Sequence, residues 1–189
     1  LGDDAFASDD MVGAMALCVG CKACKSECPM SIDMAKMKTE VQVARVAKQG
    51  LTLRDRVVAS LPRLAPMASK APPIANRLRG LARFAGFSAS RTLPKFHRSF
   101  SGTPDGEVML FADTFNCHFD PKTLAAAKRV IERSGRSVGV LSAPGRALCC
   151  GRTYLAAGLP DKAKSELART TQVFRDALDA GKTIVGLEP

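Results

Sequence analysis

Apolar residues recur at helical spacing through the first fifty positions. Val12, Met15 and Ala16 share one face of a predicted helix, and Asp9 or Asp10 stands where its N-cap is expected. Met34, Met37, Val41 and Ala44 repeat the interval, with Ser31 as the expected N-cap, Asp33 in the first turn and Gly50 as the stop. That stripe reads as core packing. From Leu51 to Pro104 the periodicity is interrupted by Pro62, Pro66, Pro72, Pro73, Pro94 and Pro104. Short helices are predicted over Arg54 to Ser60 and Ile74 to Ala85, the second with Ile74, Leu78, Leu81 and Ala85 on one face. The proline spacing predicts nothing longer.

The texture changes at Glu107. Val108 to Ala112 is an apolar run suited to a buried strand, Asp120 and Pro121 open a helix that Gly135 closes, and Val138 to Leu141 is the next strand. A further helix is expected from about Asp161 to Ala180, closed by Gly181, and a third strand over Thr183 to Val185. Strand–helix–strand–helix–strand implies a small, mostly parallel sheet. No Gly-x-Gly-x-x-Gly follows any of these strands, so a nucleotide site lacks support. Three regions are thus expected: a helical segment over 1–50, a basic proline-rich connector with helical pieces over 51–104, and an α/β region over 105–189. Both outer regions read as incomplete, because the chain opens on Leu1 and closes on a strand running into a turn at Pro189.

Charge sharpens this division. The chain carries 28 Lys/Arg against 18 Asp/Glu, a net charge of +10. Twelve of the cations and a single acid, Asp55, fall between Val43 and Pro104. The rest is close to neutral, so the charge belongs to one stretch and does not point to a nucleic-acid partner. No Trp and one Tyr leave little for base stacking. No apolar run reaches membrane-spanning length, and Gly2, Asp3 and Asp4 do not open a signal segment, so a cytoplasmic location is expected.

The cysteines carry the chemistry. Cys18-Val-Gly-Cys21-Lys-Ala-Cys24-Lys-Ser-Glu-Cys28-Pro29 matches C-x₂-C-x₂-C-x₃-C-P residue for residue, the run that ligates [4Fe–4S] clusters. Two-residue gaps let one loop reach three corners of a cubane, the fourth cysteine lies further on, and the proline turns the chain away. Gly20 and Ala23 leave room for backbone amides to approach the sulfides, and Lys22 and Lys25 can offset negative charge or simply be solvated. In two-cluster ferredoxins the fourth cysteine serves the other cluster, so Cys18, Cys21 and Cys24 are expected on one cluster and Cys28 on a second. Structural zinc more often uses two separated pairs.

A second motif is Cys149-Cys150-Gly151, with Cys117 upstream. The predicted topology sets all three near the carboxyl ends of neighbouring strands, where open α/β sheets gather ligands, and they read as a second redox or metal site. Buried small hydrophobes or a vicinal disulfide are the plainer alternatives. His118 adjoins Cys117 as a further ligand or proton carrier, although a solvent-exposed turn histidine is the expectation. Tyr154 and the phenylalanines read as packing.

These residues together resemble the iron–sulfur region of FAD-linked oxidases of the D-lactate dehydrogenase and glycolate oxidase type. The resemblance rests on Cys21 to Pro29, Asp33-Met-Ala-Lys36, Asp113-Thr-Phe115, Cys149-Cys-Gly-Arg152 and Gly186-Leu-Glu-Pro189. It implies an α-helical ferredoxin-like cluster domain followed by an α/β cysteine-rich domain. It also implies [4Fe–4S] clusters and an upstream FAD domain, in the same chain or another subunit, that oxidises a 2-hydroxy acid. Electrons then pass to a quinone or cytochrome. This chain alone is expected not to be catalytic, and its basic connector is expected either to dock on an acidic surface of the flavin domain or near anionic lipid at the inner membrane face, or to be simply a solvated linker. Two rivals remain. One is a separate electron-transfer subunit of the glycerol-3-phosphate dehydrogenase or heterodisulfide reductase kind, and the other is a zinc-stabilised basic nucleic-acid-binding module.

Overall fold

A computed structural model describes residues 5–88, 90–143 and 147–187, so the opening residues Leu1 to Asp4 and the closing Glu188 and Pro189 lie outside it. The chain is mostly helical with one three-stranded parallel sheet. The first helices are α1 (Asp9–Ala16), α2 (Ala23–Glu27) and α3 (Met34–Gln49). Their caps differ from expectation by one or two residues. Ser8, not Asp9 or Asp10, caps α1 by accepting from the Met11 amide, and Asp9 and Asp10 lie in the first turn, where they complement the helix dipole. Asp33, not Ser31, caps α3 by accepting from Lys36 N, while Ser31 takes a left-handed conformation (φ 52°). Gly50 ends α3 as expected, and Val41 is the buried member of its stripe.

The connector holds more helix than its prolines predict. α4 runs from Leu53 to Ala68 with Pro62 and Pro66 inside it, followed by α5 (Pro72–Leu78) and a 3₁₀ turn over Arg79–Ala85. A proline inside a helix costs roughly 3 kcal/mol. Here tertiary packing outweighs that local preference. Ala59, Pro62 and Ala65 form a buried face, and Ala59 packs with Tyr154, Ala157 and Ala163. Residues 96–103 then bind back onto the α/β region. His97 N donates to His118 O (2.8 Å), Phe100 N to Cys117 O (3.0 Å) and Val140 N to Thr103 O (2.8 Å).

The three strands β1 (Val108–Phe111), β2 (Val138–Val140) and β3 (Thr183–Gly186) fall where the sequence predicts a small, mostly parallel sheet, and they pair in the order β2-β1-β3, all parallel. The central strand contributes Val108 and Leu110, which are fully buried with Leu124 of α7 (Pro121–Arg133). On one side Met109, Leu141 and Leu148 form a core with Phe111 and Ile184 of the strands and with Val173 and Phe174 of α9 (Pro160–Asp179). Besides α2, two short helices were not predicted: α6 (Thr114–His118) and α8 (Arg152–Ala156). Each begins where a strand's outgoing segment reaches the carboxyl edge of the sheet. Gly151 enters α8 at φ 81°, and a Cβ there would sit 2.7 Å from Ala163 O. Gly158 leaves it at φ 74°, where a Cβ would meet Gln42 O of α3 at 2.8 Å. Both positions therefore demand glycine, and together they seat α8 between α9 and α3.

Candidate functional site

The run Cys18 to Pro29 wraps around α2. Cys18 follows α1, its amide donating to Met15 O, while Cys24 lies within α2 and Cys28 caps its end. Lys22 (φ 61°) and Ser31 (φ 52°) are the non-glycine residues with left-handed backbone among those described, and they bracket α2. Such a conformation costs an L-residue roughly 1–2 kcal/mol, so local preference alone does not give this loop its shape. Backbone amides converge on its sulfurs: Met34 N donates to Cys24 Sγ at 3.3 Å. Amides of Ile32, Met30 and Ser31 hold the Cys28 thiol below its ordinary value, against a smaller opposing effect of burial. Cys21 is exposed, and Cys18, Cys24 and Cys28 are half-buried.

A cleft of about 790 Å³ opens beside this loop, lined by Cys21, Lys22, Lys38, Gln42, Arg152 and Leu155 among others. Lys38 crosses from α3 to donate to Cys18 O. Lys22 lines the cleft, whereas Lys25 stays exposed on the last turn of α2. Amides are thus directed at two of the four sulfurs, with the Lys22 and Lys38 cations alongside. Among the described residues, no three His, Cys, Asp or Glu side chains stand grouped so as to hold a metal ion, in this loop or elsewhere.

The second set of cysteines sits at the carboxyl edge of the sheet. Asp113, at the end of β1, caps α6 by accepting from Phe115 N (2.8 Å) and Asn116 N (3.1 Å), and its second oxygen accepts from Asn116 Nδ2 (2.6 Å). This buried carboxylate acts electrostatically on Cys117, His118 and Cys150 alike. Sequence reasoning gave Asp113 no role, although an Asp three residues ahead of an Asn after a strand is a legible cap. Cys117 is buried and its thiol is pushed up, chiefly by burial.

The adjacent thiols of Cys149 and Cys150 are shifted in opposite directions. The Cys149 thiol donates to Cys150 and is buried, which pushes it up, with Gly151 N at 3.4 Å and the Thr114 hydroxyl opposing in part. Cys150 is lowered to about 6, first by the Cys149 hydrogen bond and then, against burial, by the Arg152 amide. The direction of the two shifts favours the thiol at the buried Cys149 and the thiolate at the exposed Cys150. Thr170 Oγ1 donates to Cys149 O at 2.8 Å and fixes the backbone of the pair against α9.

His118 overturns the expectation of an exposed turn residue. It ends α6 at 2% exposure, because residues 96–103 and α4 cover it. Its Nδ1 lies 3.0 Å from Ser69 Oγ and 3.1 Å from Ser99 Oγ, and Nε2 has no hydrogen-bond partner. Burial holds its pKa below the ordinary value, with Asp113 opposing, so the ring is neutral. Tyr154 packs as expected, although its hydroxyl is buried without a hydrogen-bond partner.

No helix among the described residues is long and apolar enough to cross a membrane. No family model and no solved structure matches the chain. Among curated proteins it is similar to the D-2-hydroxyglutarate dehydrogenase of Pseudomonas putida strain KT2440, at 24% identity over 96% of this chain. It is similar also to the proteins of that name from Escherichia coli K12 (22%) and Pantoea ananatis (21%), again over 96% of this chain. The chain spans about one fifth of the length of these relatives, 20% in each case.

Proposed function

We propose that this chain is the iron–sulfur electron-transfer portion of an FAD-linked 2-hydroxy-acid oxidoreductase, of the D-2-hydroxyglutarate dehydrogenase kind for which its relatives are named. The observation that carries the reading is the cysteine run Cys18 to Pro29, wound on a loop whose amides point at sulfur. Clusters held there would take up and release electrons singly, between an FAD bound by residues outside this chain and a quinone or cytochrome acceptor. Cys18, Cys21 and Cys24 would ligate one cluster and Cys28 a second. The amides of residues 30–32 favour thiolate over thiol at Cys28, and the Met34 amide donates to the Cys24 sulfur. Lys22 and Lys38 supply positive charge at the cleft, which raises the affinity of the site for an anionic group. In this reading Cys149 and Cys150 form a dithiol that no cluster on the first loop requires.

Anaerobic reconstitution with iron and sulfide tests the proposal. Bound iron and acid-labile sulfide in equal amounts, with visible absorbance that bleaches on reduction, are expected. A colourless protein holding zinc without sulfide would overturn it.

A further inference from the structure

The strongest unassigned feature is the surface formed by α5 and the 3₁₀ turn that follows it. Ile74, Leu78, Leu81 and Phe84 come from successive turns at intervals of four, three and three residues. Each is more than half exposed, at 65%, 56%, 57% and 71%. Isolated exposed apolar side chains are ordinary, but four in sequence on adjoining turns are a surface that water solvates poorly. The charge around them is one-sided. Nine Lys/Arg and no Asp or Glu lie between Asp55 and Asp105, and Asp55 itself is paired with Arg45.

Beside this apolar surface lies a pocket of about 270 Å³ lined by Arg79, Arg83, Arg91, Ser88 and Thr92, together with Phe87. Three guanidiniums and two hydroxyls around one small opening form an oxyanion-binding set, with no carboxylate in the lining. The pocket is braced from within. Arg79 donates to Leu93 O, and the Arg83 guanidinium lies 4.9 Å from the centre of the exposed Phe84 ring. The cation of the pocket and the aromatic of the apolar surface are therefore in contact, so whatever occupies one meets the other.

We propose that this surface docks on an anionic phospholipid bilayer. A lipid phosphate would occupy the arginine pocket while Leu81 and Phe84 enter the acyl boundary. Free phosphate matches the pocket but not the apolar side chains. Nucleic acid matches the charge but leaves four aliphatic and aromatic groups without a role. An anionic bilayer satisfies both halves, through apolar burial and headgroup attraction. The inference does not rest on the electron-transfer reading, since it uses no cysteine of the chain.

Co-sedimentation with vesicles tests it. The chain should partition onto phosphatidylglycerol–phosphatidylcholine vesicles at least roughly tenfold more strongly than onto phosphatidylcholine alone, and raised salt should release it. Arg83→Glu and Arg91→Glu should each weaken partitioning by roughly fivefold or more, a cation near an anionic surface contributing about 1 kcal/mol. Leu81→Asn with Phe84→Asn changes only exposed side chains, should leave the circular dichroism unaltered and should also weaken binding. Equal binding to neutral vesicles, or binding indifferent to both sets of substitutions, would overturn the proposal. So would displacement from vesicles by millimolar inorganic phosphate at constant ionic strength, which would mark the pocket as a site for the free ion. Binding by this chain that is lost in a longer chain containing it would show the surface covered by protein, and would overturn it too.

Discussion

The two cysteine regions use the same side chain under opposite physical conditions. In the loop from Cys18 to Cys28 the thiols are exposed or half-buried, and backbone amides lower the one whose protonation clearly shifts, Cys28. At the carboxyl edge of the sheet Cys117 and Cys149 are buried and pushed towards the thiol form, and only the outward Cys150 is lowered. Amide donation to the half-buried Cys28 outweighs burial and favours its thiolate. Burial favours the neutral thiol, and here only the exposed partner of the adjacent pair is shifted towards thiolate. On the reading proposed above the first region would take up a metal centre from outside, while the second is a pair of adjacent cysteines whose backbone is held against α9.

The strongest way to break this comparison is to remove ligands from each side. Cys18→Ser, Cys21→Ser or Cys24→Ser should each abolish nearly all iron and sulfide retained after reconstitution, because a cluster missing one of its protein thiolates is poorly held. Cys150→Ser should leave that content close to wild type. An equal loss from Cys150→Ser, read as iron and sulfide per chain, would mean that the two regions share one centre.

Backbone substitution gives the next largest effect and separates two costs. Gly20 and Gly151 have similar left-handed φ, 72° and 81°, but a Cβ at Gly20 meets nothing within 4 Å, whereas at Gly151 it meets Ala163 O at 2.7 Å. Gly20→Ala should cost about 1–2 kcal/mol, the conformational term alone. Gly151→Ala should cost on the order of 2–4 kcal/mol, because α8 must also move from α9. Urea denaturation of the two variants provides the measurement, and equal losses would remove the steric argument.

The difference between these glycines also marks what the sequence makes legible. The strands, α3, α7 and α9 follow from apolar periodicity and from Asp120-Pro121, Gly50, Gly135 and Gly181, signals that act within a few residues. α4 does not, because Pro62 and Pro66 argue locally against a helix that Tyr154, Ala157 and Ala163 stabilise from nearly a hundred positions away. α6 and α8, five residues each, are too short to show a period. The thiols themselves were readable from spacing. Their environments were not, since the covering of His118 by Ser69 and Ser99 depends on how residues 96–103 return to the sheet.

The dithiol should reveal itself in its reactivity. Alkylation of Cys150, mapped by peptide mass, should rise with pH through a midpoint near 6. Cys117 and Cys149 should react far more slowly across the same range, being buried thiols. Cys149→Ser replaces a thiol donor by a hydroxyl and should move the midpoint only modestly. Cys149→Ala removes the donor and should move it upward towards the ordinary thiol range. A Cys150 midpoint unchanged by Cys149→Ala would show that the proton is not shared.

The smallest expected effect belongs to His118, and its sign is the informative part. Burial lowers its pKa in the folded chain below the ordinary 6.5, so the unfolded chain binds the proton more readily. Stability contributed by the neutral ring is intact above pH 6.5 and declines as pH falls through that value towards the folded pKa. Ser69→Ala removes one of two hydroxyls at Nδ1 and should cost roughly 0.5–1.5 kcal/mol at neutral pH, with Ser99 retaining the other contact. His118→Gln removes the titration altogether, so its unfolding free energy should fall less steeply than wild type between pH 6.5 and pH 5. Parallel curves for the two proteins would place the acid sensitivity elsewhere. A shallower curve would identify this buried ring, beside the slow thiol Cys117, as the group through which acid weakens the carboxyl edge of the sheet while the exposed cysteine loop is unaffected.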